Sequence, residues 1–561
     1  MPTVRTNYQS VIRATSGPFS AAALVGTHSV VLGWDVDKDF DRKNLLGFSI
    51  KRHVFDPDTK EVISTAYLGN YKRFECDNAG GELVSSRAAP FQQFRWNDYT
   101  LDPRFSYRFE IFPMTGKPCE LNAGDPLTLN IRPSQLVADD LGIYFNRGVT
   151  AAAAYMRHFQ NVEPAKVADG AAYSWLSNGL RESLIDFIDG AASGDELHIA
   201  IYEFHDQGVA DCIKRAQGRG VIIDLVYHAP DLNQKTVKES NHVIDQAGLR
   251  AVATPRTKIK ISHNKLVVHL KNGKPRAVWT GSANFTEAGF YLQTNMGLIV
   301  KHRATADCFE AYFQAVKKNL ISERQRQGHI AAQDLIEQVI AGSPQTGSPL
   351  GAQTGFMFSP VRREHVVDAA IELIGQAKSA ILVSAPFALD KRIIEALGKN
   401  DQDIVEYGLV NATAKKKIKG LNRFYTLFFT PTRLETYMGR NWDARAFGAH
   451  KIHAKTLVID PWGANPAVLL GSANFSKPSC RENDENTVLV RGNKRLAAVV
   501  ATEFVRMFEH YKNRAFINMI NDQSAGDQKF LKNDGAWSDI YFRRHENSYK
   551  FRDRPVFSGK A

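Results

Sequence analysis

Two pairs of histidine and lysine are the residues of this sequence best suited to chemistry on an anion. One residue separates His263 from Lys265, and one separates His453 from Lys455. Residues two apart on a strand point to the same face, so each pair would present an imidazole beside an ammonium. The ammonium supplies positive charge and the imidazole titrates near neutral pH, which suits the pair to binding and attacking an anionic group.

Each pair is followed by the same short motif at the same distance. Gly-Ser-Ala-Asn ends at Asn284 and again at Asn474, in both cases 21 residues after the histidine (284 − 263 and 474 − 453). Two motifs that recur at one offset indicate an internal repeat. The turn offers a close backbone approach, the hydroxyl of Ser282 or Ser472, and an amide donor. Two such halves face to face could hold a phosphate, attack it and protonate the leaving group without a metal.

The repeated motifs resemble the signature of the phospholipase D superfamily, which reads HxKxxxxD followed by GSxxN-like residues. Residues 453–460, His-Ala-Lys-Thr-Leu-Val-Ile-Asp, match its first part completely, and the resemblance covers roughly residues 140–520. It implies a two-step mechanism in which one histidine becomes a phosphohistidine while the other serves as general acid, then as base for water. It also implies that the two lysines and two asparagines stabilise charge on the phosphoryl oxygens. We expect no cofactor and no metal.

The first half departs from the signature at its aspartate. Leu270 stands where Asp460 stands in the second half. Asp460 is seven residues from His453, an odd step, so on an unbroken strand it points away from the phosphate. We therefore predict a structural role for Asp460 and an apolar replacement at Leu270. His269 shares the strand parity of the first pair, so it could line the site, but a satisfied histidine at the edge of the pocket is the favoured interpretation.

A second departure predicts different roles for the two histidines. Asn295 stands where Glu485 stands in the second half. In the family, this late carboxylate of one half tends to support the histidine of the other. We therefore predict that Glu485 orients His263 as the nucleophile, and that His453, facing Asn295, is the general acid. The residues predicted to contact the substrate beside these catalytic groups are Ser282, Ser472 and Asn295.

The elements that must position these residues follow a βαβ pattern from about residue 140. Short apolar runs at Leu197–Tyr202 and Val221–Tyr227 flank a predicted helix near Gln207–Gln217. The pattern restarts with a helix near His365–Ile374 and the run Ala380–Ala385. This alternation predicts a parallel-rich sheet with helices on its faces in each half.

The N-terminal residues read as β structure. Val30–Val36, Phe48–Val54 and Tyr107–Ile111 alternate apolar positions with period two, and turn-rich segments separate such runs. The region resembles a fibronectin type III or immunoglobulin-like sandwich. It carries no catalytic motif, so we expect a binding or positioning module, with a protein as its possible partner.

These observations predict an α/β protein of two phospholipase D-like α-β-α halves, packed pseudo-symmetrically and preceded by an all-β sandwich. The predicted boundaries are 1–135 for the sandwich, 136–320 for the first half, 321–355 for a helix and linker, and 356–561 for the second half with a C-terminal tail.

Charge indicates an anionic partner. The chain of 561 residues has a formal net charge of +12 and a pI near 9.2, which favours nucleic acid or phospholipid headgroups. Residues 411–460 hold ten basic and three acidic side chains interleaved with aromatics, which suits a single-strand groove. A buried strand at Phe424–Phe429 beside a solvated lysine loop, or a membrane interface, fits the segment equally.

The cysteines and the hydropathy bear on location. Five dispersed cysteines form no CxxC pair and no metal-ligand spacing, which suits a reducing compartment. We recognise no secretory signal and no membrane-spanning run, so we expect a cytoplasmic protein. A monomer is expected, because one chain holds both halves of the site.

Three functions remain open from the sequence. A metal-independent nucleic-acid phosphodiesterase is favoured by charge, and a phospholipase D or transphosphatidylase is almost equally compatible with the family. A catalytically silent anion-binding scaffold is the third.

Overall fold

The structure is a computed structural model. It describes residues 8–77, 83–148, 153–319, 347–351, 353–399, 404–411, 426–429, 452–521, 530–543 and 549–560. Most of the predicted linker at 321–355 and most of the basic segment at 411–460 therefore lie outside the described residues.

The N-terminal region forms two antiparallel sheets and a short two-stranded ribbon. One sheet has the strand order β1-β2-β3-β8, the other has the order β10-β9-β4-β5 with β11 also paired to β9, and β6 pairs with β7. The two sheets bury one common core that includes Trp34, Phe48 and Phe109, so the predicted β-sandwich is confirmed. The strands are β1 Val11–Ser16, β2 Phe19–Val25, β3 Val30–Val36, β4 Gly47–Phe55, β5 Val62–Tyr67, β6 Gly69–Asn70, β7 Val84–Ser85, β8 Arg95–Asp98, β9 Ser106–Lys117, β10 Glu120–Ala123 and β11 Leu127–Ile131.

The first α/β half is one eight-stranded sheet with helices on its faces. Its strand order is β12-β13-β20-β19-β18-β14-β15-β16. The elements are β12 Val137–Ala138, β13 Leu141–Phe145, α1 Ala153–Phe159, α2 Ala171–Ser177, α3 Leu180–Asp189, β14 Asp195–Ile201, α4 Gln207–Gly218, β15 Ile222–His228, α5 Lys235–Gln246, β16 Ala253–Arg256, β17 Ile261–Ser262, β18 Lys265–Lys271, β19 Lys274–Gly281, β20 Met296–Val300 and α6 Arg303–Lys317.

The second half repeats this arrangement. Its sheet has the order β27-β26-β25-β22-β23-β24, with β21 also paired to β27. The elements are β21 Thr354–Ser359, α7 His365–Gln376, β22 Ala380–Ala385, α8 Lys391–Lys399, β23 Val405–Val410, β24 Thr426–Phe429, β25 Lys455–Ile459, β26 Ala467–Gly471, α9 Lys477–Arg481, β27 Asn483–Arg491, α10 Lys494–Asn521, α11 Asp539–Phe542 and α12 Lys550–Phe557.

The prediction of parallel-rich sheets was wrong, because the strands that carry the His-Lys pairs run antiparallel to their neighbours. β14 pairs parallel with β15 but antiparallel with β18, and β18 continues as a hairpin into β19. The signal for that hairpin is the dipeptide Asn272-Gly273, whose φ angles of 52° and 69° lie in the left-handed region that a tight hairpin turn requires. Asn and Gly adopt that region at the lowest cost, so the turn is encoded locally.

The two halves join through matching strand contacts. β17 pairs parallel with β27, and a bridge between Thr294 and Ile452 is its counterpart on the other side. The backbone N–H of His263 donates to the carbonyl of Asp484 at 2.9 Å, and that of His453 donates to Thr294 at 3.2 Å. The predicted pseudo-symmetric pair of halves is therefore confirmed, and each histidine is held by the last strand region of the opposite half.

The C-terminal segment packs on the N-terminal sandwich. Trp537 and Tyr541 enter the sandwich core, and Nε1 of Trp537 donates to the carbonyl of Leu45 at 2.7 Å. Arg95 of β8 forms buried ion pairs with Glu509 of α10 and with Asp553 of α12. The sandwich is thereby fixed to the second half by a buried charged network.

The pairing of the cysteines and the character of the helices bear on two expectations from the sequence. Cys76 and Cys119 form a disulfide, although the dispersed cysteines were expected to suit a reducing compartment. Folding brings their Cα atoms to 6.3 Å across a sequence separation of 43. Cys212, Cys308 and Cys480 are buried thiols outside this disulfide. Among the described residues, no helix combines the length and the apolar character needed to cross a membrane.

Candidate active site

The two His-Lys pairs meet where the halves touch. Lys265 is the first residue of β18 and Lys455 the first of β25, so each histidine lies just before its strand. His263 is 6% exposed and His453 is 7% exposed, while both lysines are fully buried. Each lysine Nζ donates to the carbonyl of its own histidine, at 2.6 Å in the first half and 2.7 Å in the second.

Glu485 contacts the first histidine across the interface. Its Oε2 lies 2.8 Å from Nδ1 of His263, and both side chains are buried. A carboxylate only accepts hydrogen bonds, so Nδ1 carries the proton and Nε2 keeps its lone pair. Ser472 donates to the same carboxylate oxygen at 2.8 Å, and Asn483 donates to the other oxygen at 3.3 Å. The imidazole is therefore fixed in the orientation that a nucleophilic Nε2 requires.

Asn295 occupies the matching position behind the second histidine. Its Oδ1 lies 2.8 Å from Nδ1 of His453, and its Nδ2 donates to the carbonyl of Gly289 at 2.9 Å. Because that second bond fixes the amide, Oδ1 must be the atom that accepts from the histidine. On the far side of the ring, Nζ of Lys455 lies 3.2 Å from Nε2. The second histidine therefore has a neutral amide partner where the first has a carboxylate.

The two serines hydrogen-bond the side chains that support the histidines. Ser282 donates to Asn295 at 2.8 Å and accepts from the backbone N–H of Met296. Ser472 makes the equivalent pair of bonds to Glu485 and to the N–H of Asn486. Both serines are fully buried. The structure thus places Ser282, Ser472 and Asn295, predicted as substrate contacts, in the layer that positions the imidazoles.

The asparagines of the two turns differ in their surroundings. Asn284 is 5% exposed, and its Nδ2 donates to the carboxylate of Glu203. The Oδ1 atoms of Asn284 and Asn474 are both buried, and neither has a hydrogen-bond partner among the described residues. A buried amide oxygen without a partner costs free energy, and such cost is retained where a site must bind a polar ligand.

Asp460 lies at the far end of its strand from the lysine. It accepts from the backbone N–H groups of Lys378, Ser379 and Ala380 at 2.7–2.9 Å, which ties down the start of β22. The first half lacks this carboxylate, and Leu270 is buried in the core instead.

The first half ties down the start of β14 differently. Asp195, the first residue of that strand, accepts from the N–H of Ala192 at 3.0 Å and from Nε2 of His269 at 2.9 Å. A carboxylate from the neighbouring strand thus supplies part of the bonding that Asp460 supplies in the second half. His269 therefore belongs to this strand end, where its hydrogen-bond partner is Asp195.

Burial and mutual repulsion set the charges in the site. Burial, with the charges of Lys265 and Lys455, holds the pKa of both histidines well below the usual range. Burial lowers the pKa of Lys265 to about 7 and raises that of Glu485 to about 7. Near neutral pH the histidines are neutral in the free protein, and a bound anion would reverse the repulsion that keeps them so.

Sequence reasoning missed three side chains beside the first histidine. The ring of Tyr202 lies 5.1 Å from that of His263, and Nζ of Lys265 lies 5.1 Å from the Tyr202 ring. His228 accepts from the N–H of Ser262 at 3.1 Å, and burial lowers its pKa to about 4. Glu203 is the third. The signal was available, because all three residues lie at the carboxyl ends of the parallel strands β14 and β15, where sites commonly form.

A buried ion pair stabilises the interface close to the site. Arg256 of β16 holds Asp484 through two hydrogen bonds of 2.9 and 3.0 Å, and both side chains are at most 2% exposed. Asp484 precedes the glutamate that supports His263. The pair therefore anchors the segment that carries this support.

Most of the predicted single-strand groove at residues 411–460 lies outside the described residues. Within it, β24 pairs parallel with β23, and Phe428 is buried against Gly408, which fits the alternative of a buried strand at that point. In the described part of the chain, no group of three or more His, Cys, Asp or Glu residues is arranged to hold a metal ion.

A family model described as the cardiolipin synthase, PLD-like domain matches residues 184–317 and 370–508. The two matched stretches fall on the two halves that form the site. The two matched halves are phospholipase D-like domains, as the motifs predicted. No curated protein matches the sequence.

Three solved structures are similar to this chain in fold. Phosphatidylserine synthase of Haemophilus influenzae Rd KW20 is 12% identical, with 64% of this chain and 94% of that chain covered and a TM-score of 0.41. The phospholipase D family member Nuc of Salmonella typhimurium is 22% identical over 25% of this chain and 86% of its own, with a TM-score of 0.21. The yeast tyrosyl-DNA phosphodiesterase is 13% identical over 64% and 90%, with a TM-score of 0.34.

Proposed function

We propose that this protein is a metal-independent phosphodiesterase that acts through a phosphohistidine at His263, with nucleic acid as the favoured substrate. The observation that carries the proposal is the unequal support of the two imidazoles. A carboxylate, that of Glu485, lies behind His263, whereas the amide of Asn295 lies behind His453. A carboxylate favours the positive charge that develops on an attacking imidazole, and an amide leaves its partner readier to release a proton.

In the first step, Nε2 of His263 attacks phosphorus and the bond to the leaving oxygen breaks. That oxygen takes the proton from Nε2 of His453. The imidazole of His453 is protonated at this stage because the bound anion raises its pKa. The ammonium groups of Lys265 and Lys455 stabilise the charge on the phosphoryl oxygens. In the second step, His453 removes a proton from water, the oxygen of water attacks phosphorus, and the P–N bond breaks to restore neutral His263.

Nucleic acid is favoured by the net charge of +12 and by the density of basic and aromatic residues in the segment 411–460. A phospholipase D or headgroup-transfer reaction is the second candidate. It is favoured by the family model, whose description names a cardiolipin synthase.

The test is cleavage of a labelled single-stranded oligonucleotide in EDTA, with the His453→Ala variant as its control. Cleavage that the variant abolishes supports the nuclease assignment. If the oligonucleotide stays intact while phospholipid vesicles are hydrolysed, with headgroup exchange in added alcohol, the lipid candidate replaces it. If the protein binds anions but turns over neither substrate, the catalytically silent scaffold is the remaining candidate. A requirement for a divalent metal would contradict the mechanism.

A further inference from the structure

The two walls of the site differ at one equivalent position. Glu203 follows β14, whose Ile201 pairs with Lys265, and Phe387 follows β22, whose Ser384 pairs with Thr456. Counted from the lysine-bearing strands, Glu203 and Phe387 fall at the same register. Three residues later in each half, an aspartate N–H donates to the phenylalanine that ends the Gly-Ser-Ala-Asn-Phe turn, at 2.8 and 2.9 Å. The fold therefore requires no acidic side chain at this position.

Glu203 contacts Asn284, one of the asparagines of the site, directly. Its carboxylate accepts from Nδ2 of Asn284, and its backbone carbonyl accepts from the N–H of Phe285 at 3.0 Å. The adjacent Tyr202 lies against His263 and Lys265. The opposite wall carries Phe387, which is 43% exposed. A negative charge is thus present on one side of a site that must bind an anion.

The balance of charges in the site indicates a role for the carboxylate of Glu203. In their ammonium forms, which a bound anion favours, the two buried lysines provide two positive charges. Glu203 opposes the fall in the pKa of both lysines that burial causes. Glu485 is also buried beside the lysines. The site therefore holds two carboxylates, those of Glu203 and Glu485, for two lysines. One negative charge on a ligand is then met by the proton that His453 takes up, whereas a second has no counterion and faces Glu203.

We propose that Glu203 is a specificity-determining residue that admits phosphodiester monoanions and excludes dianionic phosphoryl groups, namely phosphomonoesters and inorganic phosphate. This inference rests on the proposed function and deepens it. Hydrolysis of a diester yields a monoester, which loses its second proton near pH 6. The same carboxylate therefore weakens binding of the product relative to the substrate.

The experiment compares two anions by titration calorimetry at pH 8, dimethyl phosphate as the monoanion and inorganic phosphate as the dianion. The variant is Glu203→Gln, which keeps an oxygen acceptor for Asn284 and removes the charge. Glu239→Gln, an exposed glutamate of the same half, is the matched control. The charge-free variant should bind inorganic phosphate at least about tenfold more tightly and dimethyl phosphate within about threefold of the parent protein.

A reciprocal variant separates charge from the positioning of Asn284. Phe387→Glu adds a carboxylate to the opposite wall and should weaken phosphate binding by at least about threefold, with little effect on dimethyl phosphate. The inference would be overturned if Glu203→Gln changed the affinity for both anions equally or changed neither affinity. It would also be overturned if neither anion bound to the protein. Because binding is measured without turnover, loss of the proposed phosphodiesterase function would show separately, as binding without cleavage.

Discussion

Glu485 of the second half hydrogen-bonds Nδ1 of His263 of the first half at 2.8 Å, across the interface between two repeats of one chain. The counterpart contact joins Asn295 to His453 at the same distance. This geometry, with a carboxylate on one side and an amide on the other, is the basis of the two roles proposed for the equivalent histidines. Neither half could supply this arrangement alone, since each imidazole is supported by the other half.

Replacement of Glu485 by glutamine tests that division. Glutamine keeps an acceptor for His263 but removes the charge that stabilises the attacking imidazole, so kcat should fall by about 100-fold. The measurement is kcat on the same oligonucleotide in EDTA. Glu482→Gln is the matched control, because Glu482 pairs with Lys260 at the surface and should leave kcat unchanged. Equal activity of Glu485→Gln and the parent protein would contradict the assigned role.

The pH profile should differ between free protein and complex. Burial and the two lysines hold the pKa of His453 well below its usual range in the free protein, so its acid form is lost as pH rises. A bound anion favours the protonated imidazole and raises that pKa. The alkaline limb of kcat, which reports the complex, should therefore lie at higher pH than the alkaline limb of kcat/KM. Coincident limbs would show that the substrate does not change the charge of the site.

Asp460→Asn should lower stability and spare the chemistry. The carboxylate accepts three backbone N–H groups at the start of β22, far along the strand from Lys455. Loss of these charge-assisted bonds should lower the free energy of unfolding by about 1–3 kcal/mol. Urea unfolding measures the loss, and kcat of the folded protein should stay within about twofold of the parent value. A fall in kcat without a fall in stability would place Asp460 in the catalytic machinery.

Removal of Arg256 should destabilise the interface between the halves. Arg256→Leu leaves Asp484 buried without its partner, which costs about 3–5 kcal/mol of unfolding free energy. The double variant Arg256→Leu, Asp484→Leu should recover part of that loss, since no buried charge remains unpaired. Lys260→Gln breaks the exposed pair with Glu482 and should cost less than about 1 kcal/mol. A double variant less stable than Arg256→Leu would show that the charges are not coupled in this way.

The repeat made much of the site predictable from the sequence. The offset between His263 and His453 also relates Asn284 to Asn474 and Asn295 to Glu485, and strand parity set Asp460 apart from the phosphate. These inferences need only local geometry and equal spacing.

Other features depend on contacts that spacing does not encode. Glu203 and Phe387 are equivalent in register, but 184 residues separate them instead of 190, and they share no residue type. The serines of the turns were expected to face the substrate, yet the N–H of Met296 and that of Asn486 draw them behind the imidazoles. The disulfide between Cys76 and Cys119 likewise depends on how the sandwich folds.

The central claim is tested most directly by trapping the covalent intermediate. The protein is mixed with an oligonucleotide labelled at its phosphodiester, quenched within the first turnovers, digested under alkaline conditions that preserve phosphohistidine, and sequenced by mass spectrometry. The label is expected on His263, with none in the His263→Ala variant. Label on His453, or cleavage with no phosphohistidine at all, would contradict it.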